Sequence, residues 1–193
     1  MKQTGKRLFA VLLTIALCLS LFPVMASAED DAVAITSLSE ITNLSGSYKL
    51  SGDITVTEPF GSDTERFNGT LDGDGHTVTI NITKEGSNYV GMFTALGANA
   101  VVKNFVVSSA NVKNTGDKLP GGTGAIAGTS KGTISDIRVE SIELSGMRNT
   151  GGLVGVLESG ATLTRCCIDG GTVKKVLLAA VLSYVTIGVT IVK

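Results

Sequence analysis

Internal repetition governs how this chain can fold. Thr123-Gly124-Ala125-Ile126-Ala127-Gly128 returns as Thr150-Gly151-Gly152-Leu153-Val154-Gly155 at an offset of 27. Each copy is followed by a Gly, a Thr and an aliphatic residue, as Gly132-Thr133-Ile134 and as Gly160-Ala161-Thr162-Leu163. A looser copy runs Val90-Gly91-Met92-Phe93 and then Val101-Val102-Lys103-Asn104-Phe105. A unit of about 28 residues is too short to bury its own apolar face, so successive units must stack and share one interior. Alternation of period two marks strands: Val102, Asn104 and Val106 are expected to face one way, and Val101, Lys103 and Phe105 the other. Glycines at a recurring phase mark corners or close approaches of neighbouring coils. The run Leu119-Pro120-Gly121-Gly122-Thr123-Gly124 reads as such a corner, since no Lys-Ser/Thr pair follows it to reach a phosphate. The competing architecture, a β-sandwich of irregular hairpins, gives successive units no reason to repeat.

The two ends differ from the middle. Lys2, Lys6 and Arg7 precede an apolar run from Leu8 to Leu21, then Pro23 and Ala26-Ser27-Ala28, which is the pattern of a signal peptide over residues 1–28. The apolar run falls short of the ~20 residues that span a bilayer, and Cys18 lacks the setting of a lipidation site. Without the leader, 13 basic residues face 17 acidic ones, a net charge of −4, which argues against a nucleic-acid binder. Only Cys166 and Cys167 then remain, and a bond between neighbours is strained and closes no useful loop. At the other end, residues 176–193 are apolar between lysines. A shift of 28 aligns Ala180-Val181-Leu182-Ser183 with Gly152-Leu153-Val154-Gly155, so this tail reads as a partial fourth repeat, with a transmembrane segment as the alternative.

Ahead of the repeats, Ser37-Leu38-Ser39-Glu40 fits a capping box. Leu38, Ile41 and Leu44 would line one face of a two-turn helix ending at Gly46. Such a helix would cap the stack and cover its exposed strand edge.

These residues also carry a resemblance. Phe67-Asn68-Gly69-Thr70-Leu71-Asp72-Gly73-Asp74-Gly75-His76-Thr77-Val78 resembles the opening coil, F-x-G-x-x-D-G-x-G-H-x-I, of secreted bacterial right-handed parallel β-helix proteins. Gly151-Gly152-Leu153-Val154-Gly155 is similar to their GLUG motif, and Tyr48-x-Leu50 followed by Asp53-Ile54 is similar to their first strand. The resemblance covers about Ile35 to Val173. It implies a secreted or cell-surface repeat module, often the N-terminal part of a longer adhesin-like protein. It brings no catalytic residues, because its motif positions are turn and core residues.

Asp72, Asp74 and His76 are the candidate chemistry. Two carboxylates serve as acid and base in glycoside hydrolysis, or as ligands of calcium, which wants six to eight oxygens. The preferred reading is a turn, with the Asp side chains bonded to local amides and the glycines left-handed. A polysaccharide lyase or glycosidase would also want aromatic platforms, basic residues and further carboxylates, whereas Asp136 and Asp169 sit singly in later units. With no Trp and a single His in the chain, no triad or metal cluster assembles. Cys166 takes the phase of Phe105 and Ile137 and is expected inside, with Cys167 outside.

The expected molecule is all-β: a right-handed parallel β-helix with a short N-terminal capping helix. Residues 1–28 are its signal peptide, 29–60 its cap and opening strand, 61–175 its β-helix repeats and 176–193 its partial fourth repeat or transmembrane segment. No catalytic, cofactor-binding or metal-binding residue is assigned, and no cofactor. Cell-surface display, adhesion or spacing without enzymatic activity is the expected function, with a β-helix carbohydrate-active enzyme as the alternative. The expected location is secreted or cell-surface. The expected partners are a cell-wall or host glycan or a surface protein, not nucleic acid, and a membrane only if the tail spans it.

Overall fold

The computed structural model describes residues 31–115 and 121–175. Residues 1–28, expected to be a signal peptide, and residues 176–193, expected to be a partial fourth repeat or transmembrane segment, lie outside the described residues. Within them, all strand pairing is parallel and forms an eleven-stranded sheet and two three-stranded sheets. The result is a β-solenoid of about three turns. One coil runs through Val101–Asn114, Gly122–Thr123 and Ala127–Ser130, and the next through Thr133–Val139, Ile142–Gly146, Asn149–Thr150 and Val154–Leu157.

The stacking follows the repeat. Thr123 lies beside Thr150 and Ala127 beside Val154, the 27-residue offset of the sequence. Ile134 lies between Val102 and Leu163, which joins the three copies of the second motif. The step is not constant, since 34 residues separate Phe93 from its partner Ala127. Most of the extra length falls between Asn114 and Gly122, where the step to the next coil drops from 32 to 27.

Inside, like residues form columns. Tyr48, Leu71, Val102, Ile134 and Leu163 make one, and Ile82, Val112 and Leu144 another, which continues in register to Val173, exposed in the last described strand. Burying each Leu, Ile or Val stabilises the fold by roughly 1.5–3 kcal/mol. Nearer the first coil the interior is aromatic. Phe67 stacks on Phe93 at 5.1 Å between centroids, and Phe60 meets both edge-on at 6.2 and 5.9 Å, a geometry that the ring quadrupoles favour.

Three expectations change. The alternation through residues 101–107 breaks at Asn104, which is exposed while Val102, Phe105 and Val107 are buried. Asn104 holds φ at 63°; a left-handed residue inside the strand turns the chain and shifts the phase by one. Asp136 at 56° and Arg165 at 50° repeat this in the next two coils. Second, the two-turn helix is a single 3-10 turn, Leu38–Glu40. Ser37 accepts a hydrogen bond from the Ser39 amide, but the Glu40 carboxylate turns back to the amide and hydroxyl of Thr36. Asn43 then accepts from the amides of Ser45 and Gly46, a local turn that competes with helix. Leu38 and Ile41 still reach the core. Third, Gly122-Thr123 is a short strand rather than a corner. A Cβ on Gly122 would lie 2.5 Å from the Gly128 carbonyl oxygen, so the glycine serves close approach.

Candidate functional site

Asp72, Asp74 and His76 meet at one corner, and each side chain already has a partner. Asp72 Oδ1 accepts from the Asp74 amide at 2.8 Å and from Asn104 Nδ2 at 3.0 Å, and Lys103 Nζ lies 3.2 Å from Oδ2. Asp74 pairs with Lys49 at 2.9 Å. His76 Nδ1 lies 3.6 Å from Asp53 Oδ1, which accepts from the Thr77 amide. Gly75 is left-handed at φ 78°, and so is Asp74 at 49°. A Cβ on Gly73 would strike Phe105 in the next coil. Burial opposes the charge on Asp72, yet the Asp74 amide, Asn104 and Lys103 outweigh it and hold the carboxyl below its ordinary value. These contacts are those of a turn.

The other acidic candidates are also paired, each by an arginine one coil on or back. Arg165 donates to both oxygens of Asp136, at 2.5 and 2.7 Å, and lowers that carboxyl's pKa. Arg138 donates to Asp169 at 2.7 Å. Cys166 is half-buried against the core, where burial pushes its thiol up, and Cys167 is exposed. Lys174 stands in the last described strand beside Ser145. Among the described residues, no group of three or more His, Cys, Asp or Glu is placed to hold a metal ion.

The sequence did not point to a cleft of about 360 Å³ on the flank of the solenoid. One wall is the loop between Phe60 and Phe67, residues that pair with Phe93 and Leu96 in the next coil. The opposite wall is the end of strand Thr77–Lys84 and the turn through Ser87, Asn88 and Tyr89. A turn from Ser62 to Glu65 fixes the loop, the Ser62 amide donating to the Glu65 carbonyl and the Glu65 amide to Ser62 Oγ. Arg66 anchors its end, reaching Glu158 three coils on at 2.6 Å. Glu158 also accepts from Thr129 at 2.9 Å and pairs with Lys131 at 3.3 Å. Burial raises its pKa, but the bonds from Arg66 and Thr129 prevail and leave the carboxyl below its ordinary value. Within the cleft, Asp63 Oδ1 is shut off from solvent with no hydrogen-bond partner, and Lys84 pairs with Glu58. Burial, then the charge of Asp63, raises the pKa of the Tyr89 phenol.

A second hollow, about 230 Å³ and apolar, lies among Leu153, Leu157, Leu163 and Ile168. Strand Val154–Leu157 beside it is paired on one edge only among the described residues.

Two known proteins are similar to the chain. Halomucin of Haloquadratum walsbyi is 32% identical over 151 residues, 69% of this chain. A protein of Evansella cellulosilytica named as a Gly-rich membrane protein is 34% identical over 84 residues, 43% of this chain. The chain spans 2% of the length of halomucin and 10% of the other. No family model matches it, and no solved structure does.

Proposed function

We propose that this chain is an exported, non-enzymatic β-solenoid module for display, adhesion or spacing at a cell surface, part of a longer repeat protein. The observation that carries the reading is the ionic state of its outer face. Asp72, Asp74, Asp136, Glu158 and Asp169 are each tied to a Lys or Arg. A general acid and its partner carboxylate need to be free to exchange protons with a substrate, and these carboxylates brace one coil against another. A stacked solenoid instead offers long ridges of fixed side chains, suited to contacts spread over a surface.

Similarity to halomucin and to a protein named for a membrane supports a surface location. Residues 1–28, read as a signal peptide, supply the route out. The winding we assign is right-handed, the hand that parallel crossover connections take in about 98% of cases, and the Gly151–Gly155 segment is a GLUG-type repeat.

Two measurements on the purified chain test this. Incubated with wall and plant polysaccharides, it is expected to release neither reducing sugars nor unsaturated uronates. Release that Asp72→Asn abolishes would replace the adhesion reading with the enzymatic one. Applied to bacterial and host cells, the chain is expected to stay bound after washing in physiological salt, and a chain that washes off every surface is no adhesin.

A further inference from the structure

We propose that the cleft between loop 61–66 and the turn at 84–89 binds a neutral, hydroxyl-rich saccharide. The proposal rests on the adhesion reading and narrows its partner to carbohydrate.

The cleft is built in advance. Loops usually move, but this one is held at both ends by core phenylalanines, in its middle by the Ser62–Glu65 turn and at its base by Arg66–Glu158. A wall fixed before the ligand arrives avoids the ordering cost of binding, and a volume of about 360 Å³ falls in the range of ligand sites, about 300–1,000 Å³.

Its lining selects the ligand class. A carboxylate oxygen cut off from water and left unbonded costs stability, and Asp63 Oδ1 is in that state. A small rotation of the Asp63 side chain, which lines the cleft, turns that oxygen toward a sugar hydroxyl that supplies the missing donor and then needs a donor in return. Ser62, Ser87 and Asn88 line the same cleft, and hydroxyls and amides both give and take hydrogen bonds. Tyr89 adds a phenol that stays protonated at neutral pH. The charges disfavour ions. Glu58 already neutralises Lys84, so an anionic ligand gains little there and is repelled by Asp63. A hard cation finds one carboxylate where it wants several oxygens.

Titration of the purified chain with lactose, mannotriose, N,N′-diacetylchitobiose and digalacturonate, followed by calorimetry and by amide NMR, tests the proposal. At least one neutral sugar is expected to bind, shifting the amides of residues 61–63 and 87–89. Asp63→Ala is expected to weaken binding at least tenfold, the worth of one charge-assisted hydrogen bond, and Asp74→Asn, at the distant corner, to leave it unchanged. Asn88→Ala gives a second reading should Asp63→Ala fold poorly. No neutral sugar bound, shifts confined to other residues, binding of digalacturonate alone, or unchanged affinity in a folded Asp63→Ala would each overturn the proposal. Cell retention is scored separately. A chain that binds no neutral sugar yet coats cells sinks the saccharide cleft and leaves adhesion standing, whereas failure of the unaltered chain to coat any cell sinks the adhesion reading on which the proposal rests.

Discussion

Asn104, Asp136 and Arg165 occupy one corner in three successive coils, all at positive φ. A side chain there costs roughly 1–2 kcal/mol, and Asn and Asp tolerate the region best because they bond locally. Asn104 recovers part of the cost through its bond to Asp72. Asn104→Gly therefore trades a hydrogen bond for backbone freedom and is expected to lose at most about 1 kcal/mol. Asn104→Val, β-branched at positive φ, is expected to lose about 2–3 kcal/mol, with urea denaturation giving the order. The paired carboxylates set the acid response. Asp72 and Glu158 have folded pKa values below their ordinary ones. The unfolded chain thus binds protons first, and their contribution is full above about pH 4 and fades as pH falls through the lowered folded values. Urea midpoints measured between pH 5 and pH 2 are expected to fall less steeply in Asp72→Asn than in the unaltered chain.

Among elements, the glycine-bounded strands were legible and the departures from them were not. Thr123–Gly128 and Thr150–Gly155 share a register because stacked coils put the same demands on the same phase, and sequence periodicity records those demands directly. Alternation failed at Asn104 because one left-handed residue shifts the phase without altering composition. The helix at Ser37 failed because a capping box is a pattern of four residues, and Asn43 supplied a competing turn just beyond it. The corner at Asp72 was readable as a turn. Asp63 and Tyr89 were not readable as neighbours, since the Ser62–Glu65 turn and a distant ion pair, Arg66–Glu158, fix the loop that brings their walls together. The glycines yield a sharp contrast. A Cβ on Gly124 would lie 2.5 Å from the Ala127 carbonyl oxygen and 2.6 Å from that of Leu153, in its own and the next coil. Gly52 has open space around the same position. Gly124→Ala is expected to destabilise by about 1–3 kcal/mol through overpacking and Gly52→Ala by less than about 0.5, as thermal melts of the two variants would show.

In the molecule as a whole, strand pairing joins each coil only to the coils beside it, so stability is to a first approximation a sum of coil terms and neighbour terms. The fourteen-residue strand Val101–Asn114 has the most neighbours. It pairs with Thr70–Asp72 and Thr77–Lys84 on one edge and with Thr133–Val139 and Ile142–Gly146 on the other. Opening it breaks two interfaces at once. Strand Val33–Ile35 pairs only with Ser47–Leu50 among the described residues, and opening it breaks one. Local opening free energies should therefore rise from the first strand toward the central one. Hydrogen exchange followed by mass spectrometry is expected to show the amides of 33–35 exchanging first and those of 102–112 last, by orders of magnitude. Arg66–Glu158 adds a test of reach, because it ties the first coil to the fourth past the coils between. If that tie couples distant coils, Glu158→Ala will speed exchange in the loop 61–66 as well as around residue 158. If exchange rises only near residue 158, coupling in this solenoid stops at the nearest neighbour.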